Sequence, residues 1–152
     1  MMVKALRAPL LWLAAVLFLG GSAFGAQATG AWVIPLLKPL VPHATPRELH
    51  ALHIVLRKLW HLTEYAILAR VWLHGVLAWR GVSVRSAAWV ALLVCVACAF
   101  VDEAHQSMLL TRTGSVADAV LDCLGALLML MMLRARYDVR PTSHGAAARA
   151  RA

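Results

Sequence analysis

Charge is scarce in this chain. Only 14% of its 152 residues are charged and 62% are apolar, against about 25% charged in an ordinary soluble domain. That leaves too little polar surface to cover a water-exposed globule. Cysteine is sparse as well: Cys95 and Cys98 fall in one apolar run and Cys123 in another. A lone CxxC in an apolar helix lacks the second pair and the loop that make zinc or redox readings strong, and the three read as packing residues. There is no glycine-rich phosphate loop, no serine elbow and no internal repeat, which lowers the expectation of nucleotide or esterase chemistry. The net charge of +8 does not point to nucleic acid, because the basic residues sit at the ends of apolar runs rather than in a stripe.

What the chain has instead is separated apolar runs of about 16–22 residues, each long enough to cross a hydrocarbon core of about 30 Å. The expected fold is therefore all-α, a polytopic membrane bundle of about four transmembrane helices. The spans fall at about 9–26, 59–79, 86–102 and 116–133, after a short segment 1–8 and before a basic tail 134–152 that reads as disordered. The first run also resembles a signal peptide, with Lys4 and Arg7 ahead of it and small residues behind; a retained span is the favoured reading. Between the first two spans, Pro35, Pro39, Pro42 and Pro46 break up the apolar stretch Trp32 to Val41 and place it at the membrane surface. Ser115 precedes the last span as an N-cap, with Asp118 near the positive end of its dipole.

Loop charge orients the spans. With the N-terminus inside, Lys4, Arg7, Arg80, Arg85, Arg134, Arg136, Arg140, Arg149 and Arg151 face the cytoplasm, while Lys38, Arg47, Arg57, Lys58 and Arg112 lie outside. This bias predicts both termini inside a cell membrane. The residues that are costly in a bilayer then gather at one level. Lys58, His61, Glu64 and Tyr65 open the second span, and spacings of three and four place Lys58, His61 and Tyr65 on one face. Asp102, Glu103, His105 and Gln106 end the third, with His105 and Gln106 both expected on the face of Asp102. Asp118 and Asp122 lie one turn apart at the start of the fourth, and Gly125 one turn further would let helices approach closely. Such groups face the bundle interior or a wet cavity, so three segments are expected to build one outer-facing pocket.

In a catalytic reading, His105 is the general base, Asp102 or Glu103 orients it, and His61 shuttles a proton. In a recognition reading, Lys58 and Arg112 steady an anionic group, with Tyr65, Gln106, Asp118 and Asp122 lining the site. A metal held by His61, His105 and carboxylates is the weaker reading, because the His-x-x-Glu and Asp-x-x-His pairs match no metal signature. No metal is assigned and no cofactor is named. His43, His50, His53, His74 and His144 show no comparable clustering.

The sequence Lys58-x-x-His61-x-x-x-Tyr65, then Asp102-Glu103-x-His105-Gln106, Arg112, and Asp118-x-x-x-Asp122-x-x-Gly125 resembles the VanZ-like family of bacterial integral membrane proteins. The likeness covers about Arg57 to Leu133. It departs at Met129, where the family commonly has another small residue. The founding member of that family is the teicoplanin-resistance protein, which is associated with resistance to a lipoglycopeptide that acts at the outer face of the membrane. The resemblance implies about four spans and an envelope role, and it brings no defined reaction. The leading expectation is an envelope-associated protein recognising a membrane lipid or lipid-linked cell-wall precursor. The competing classes are a membrane-embedded hydrolase or transferase, a proton-coupled transporter, and a structural partner in a membrane complex. A transporter is disfavoured because the inner halves of the spans hold few polar groups beyond Arg70 and His74. A homodimer or an envelope-protein partner is compatible with so thin a bundle.

Overall fold

The structure, a computed structural model, describes residues 2–108 and 115–139, excluding the side chains of residues 2, 3, 22, 138 and 139. Arg112 and residues 140–152 of the tail lie outside the described residues. In chain order the elements are α1 (Met2–Leu19), a 3-10 turn (Ser22–Phe24), α2 (Ala26–Leu37), α3 (Pro46–Leu77), α4 (Val84–Ser107) and α5 (Val116–Val139). The described fold is all-α, with five α-helices. Two of them, over Val84–Ser107 and Val116–Tyr137, are long and apolar enough to cross a membrane.

Local chemistry explains the helix starts. Thr45 and Glu48 form a reciprocal capping box with Pro46 in the first turn, so α3 begins at Pro46, well before the expected span start near Leu59. The Thr45 backbone and side-chain hydrogen bonds hold the exposed Glu48 carboxyl below its usual value. Ser83 accepts the Ser86 amide and opens α4. The turn between α3 and α4 uses Gly81 at φ +79°, a left-handed conformation that glycine adopts without strain. Other boundaries differ from expectation as well: α1 covers Met2–Leu19 rather than 9–26, and α4 continues past 102 to Ser107. The apolar stretch at Trp32 is helical through Pro35, because the proline removes one internal bond near the end of α2 without stopping it. At about 18 Å of rise it remains too short to cross a bilayer. Helix α5 continues past Leu133 to Val139, since Arg134 and Arg136 are good helix formers and suit its C-terminal end.

Packing centres on α3, which lies against α1, α2, α4 and α5, while α4 and α5 also pack on each other. Helices α1 and α4 run one way and α3 and α5 the other: Gly20 meets Asp102 at one end, and Gly75 meets Ala5 and Pro9 at the other. Tyr137 and His74 meet at that second end as well, 3.4 Å apart. The buried stripe of α4 is Ala87, Ala91, Cys95 and Ala99, and α5 buries Ala119 and Ala126 against the bundle. Small side chains bring helix axes close and let dispersion act between backbones. Meanwhile Leu93, Phe100, Val120, Leu128 and Met131 are exposed. An apolar exterior around a bundle that is polar at one end is the arrangement a lipid environment demands.

Candidate functional site

The buried stripe of α4 changes character at its end. After Ala99 the next inward positions are Asp102 and Gln106, and the Gln106 side-chain amide donates to Asp102 Oδ2 at 2.7 Å. Asp122 on α5 and His61 on α3 face the same space, with His61 Nδ1 3.6 Å from Asp122 Oδ1. One ligand-capable atom from each of His61, Asp102 and Asp122 lies within 4.8 Å of the others. Both carboxylates are only 2% exposed. Tyr65, one turn along α3 from His61, is fully buried, and its hydroxyl lies within electrostatic reach of both carboxylates. Glu64 is buried beside it, and its backbone carbonyl accepts the Trp12 indole N–H at 3.1 Å, tying α1 to α3 at this level.

Two glycines make the convergence possible. A Cβ on Gly125 would lie 2.3 Å from the Leu62 carbonyl oxygen, so α5 rests on the α3 backbone beside His61. A Cβ on Gly20 would lie 2.1 Å from Asp102 Oδ1, so the end of α1 closes over that carboxylate.

A cavity of about 470 Å³ adjoins the cluster between α2, α3 and the end of α1. Leu19, Phe24, Val33, Leu56 and Trp60 form its apolar wall, while His53, Arg57, His61 and Glu64 supply a polar edge. Arg57 donates to the Phe24 carbonyl at 2.8 Å and to Thr29 Oγ1 at 3.2 Å, fixing the turn before α2 against α3. Thr29 Oγ1 also lies 3.1 Å from His53 Nε2. His61 thus belongs to both the cavity and the cluster.

The sequence-derived residues separate accordingly. His61, Tyr65, Asp102, Gln106 and Asp122 come together. Lys58 instead reaches Asp118 at 3.2 Å on the more exposed side, apart from the face of His61 and Tyr65. Glu103 accepts the Ser115 backbone N–H, so it ties the end of α4 to the start of α5. His105 sits on the exposed face of α4, and Gln106 rather than His105 bonds Asp102. Sequence reasoning passed over His53, Arg57 and Gly20. The signal for the first two was present, because His53, Arg57, His61 and Tyr65 form an unbroken i, i+4 ladder on α3. Gly20 had no local signal.

The arrangement suits polar recognition or proton transfer at the inner edge of an apolar slot. No curated protein and no solved structure matches the sequence. The VanZ/LLP1 family pattern, however, matches residues 8–137, from within α1 to within α5. The chain therefore belongs to the VanZ/LLP1 family, and its apolar helices make it a membrane protein of that family.

Proposed function

We propose that this envelope-associated membrane protein captures a lipid-linked or anionic cell-envelope molecule in the α2–α3 cavity, with the polar head directed to His61. The observation that carries this reading is the continuity of an apolar cavity of about 470 Å³ with a buried polar cluster through His61, which belongs to both. Leu19, Phe24, Val33, Leu56 and Trp60 suit a hydrocarbon chain. Arg57 and His61 offer donors to an oxygen-rich head. In this reading α1 and α3 cross the bilayer together with α4 and α5, both termini are cytoplasmic, residues 9–133 form the membrane domain, and the cluster faces the outer leaflet. Helix α2 and the first turns of α3 lie at the outer interface, where Trp32, 78% exposed, meets lipid. The positive charge of Arg112 and Lys58 attracts anionic heads to the protein, and in some settings the role extends to glycopeptide resistance.

A second reading, a hydrolase or transferase, is favoured by the His61–Asp122 juxtaposition at the cavity wall. In it His61 is the base facing the bound head and Asp122 its orienting carboxylate. The His105-based version is left without the contact to Asp102 that it needs.

The test compares lipids and cell-wall precursors by untargeted mass spectrometry in a deletion strain, wild type and His61→Ala at equal membrane abundance. A species that changes on deletion, returns with wild type and stays changed with His61→Ala supports capture or turnover and names the molecule. No difference between deletion and wild type overturns both and favours a structural partner role.

A further inference from the structure

We propose that His61, Asp102 and Asp122 form a binding site for one divalent transition-metal cation of the zinc class, joining α3, α4 and α5. The three side chains come from three different helices, and their ligand-capable atoms lie within 4.8 Å of one another. Two carboxylates buried together repel each other and lose hydration, a cost that a bound cation removes. Among the described residues, His61 is the only ion-pair partner of Asp122.

A second observation points to a ligand. Asp122 Oδ1 has no hydrogen-bond partner among the described residues, and its 3.6 Å separation from His61 Nδ1 is too long for one. The fully buried Tyr65 hydroxyl likewise has none. Buried oxygens of this kind are normally satisfied. Gln106 already holds Asp102 through Oδ2, as groups outside a metal's ligand set commonly do.

One imidazole and two carboxylates suit zinc or manganese, whereas calcium and magnesium take oxygen-only sets. The present spread exceeds the roughly 3.5 Å edge of a tetrahedron with bonds of about 2.1 Å. Binding therefore draws the side chains inward by about an ångström, which side-chain rotation supplies. Three protein ligands leave a coordination position open, and His61 lines the cavity through which the ion and an exchangeable ligand would reach it. The inference does not depend on what else the cavity holds.

The test uses the full chain in detergent with any affinity tag removed, stripped by chelator and dialysed against zinc chloride before elemental analysis. The expected result is about one zinc per chain, with affinity reduced about tenfold or more in Asp122→Asn and His61→Gln. His74→Ala, altered at the other end of the bundle, should bind as wild type. X-ray absorption of zinc-loaded wild type should show only nitrogen and oxygen at about 2.0–2.2 Å, a readout that stands even where a variant fails to fold. Binding below about a tenth of a zinc per chain, sulfur at about 2.3 Å, or unchanged binding in a folded Asp122→Asn variant overturns the site.

Discussion

Replacing Gly125 by alanine tests the packing that assembles the cluster. The added methyl would lie 2.3 Å from the Leu62 carbonyl oxygen, 3.0 Å from its carbonyl carbon and 3.1 Å from its Cα. All three are backbone atoms of α3, so no side chain can rotate away and the two helices must separate. Overpacking of this kind costs about 1–3 kcal/mol, and alanine's better helix propensity returns only about 1 kcal/mol. Because only backbone can yield, the cost falls at about 2–3 kcal/mol and the expected net loss is about 1–2 kcal/mol, accompanied by a wider His61–Asp122 gap. Thermal unfolding in detergent, followed by tryptophan emission, would read it. Leu124→Ala, at a neighbouring position 45% exposed, is the control and should shift stability by no more than about 0.5 kcal/mol. A Gly125→Ala protein as stable as wild type would refute the close α3–α5 contact.

Gly20→Val should disturb Asp102, since even a Cβ there meets its carboxylate at 2.1 Å; greater amide exchange at the end of α4 would report it. The Lys58–Asp118 pair is 51% and 38% exposed, so a double-mutant cycle should give a coupling under about 1 kcal/mol that shrinks with salt. The Glu48 carboxyl lies below its usual value of 4.5 when folded. Its contribution is therefore present above that value and lost as pH falls through the lower folded one. The first turn of α3 should fray in acid, measured as faster amide exchange there, and Thr45→Ala should produce the same fraying at neutral pH. His105→Ala should leave ligand capture unchanged, measured by the lipid profile of the complemented strain; a lost phenotype at normal abundance would return His105 to the site.

The polar core of the site was legible because ionisable groups in apolar runs are expensive and must converge or pair. That reasoning picked out His61, Asp102, Gln106 and Asp122 without coordinates. Finer facing was harder to read, because neighbouring residues on a helix point about 100° apart. His105 and Gln106 each lie about one turn beyond Asp102, and only Gln106 continues the stripe of Ala91, Cys95 and Ala99. Lys58 was grouped with His61, whereas the inward ladder runs through Arg57 and leaves Lys58 beside Asp118. The early start of α3 was hidden by equating the helix with its apolar run, although Thr45, Pro46 and Glu48 carry a complete start signal. Contacts such as Gly20 on Asp102 and Trp12 on the Glu64 carbonyl join distant segments and leave no local pattern.

The most direct test of the central claim is native mass spectrometry of the full chain released from its own membranes, comparing wild type with Leu56→Trp and Arg57→Ala. The account predicts a lipid-like or lipid-linked species bound to wild type, lost when tryptophan fills the cavity and weakened when Arg57 is removed, with all three proteins folded. A wild-type protein carrying no such species, or a folded Leu56→Trp protein carrying it undiminished, would contradict the cavity as the site of capture.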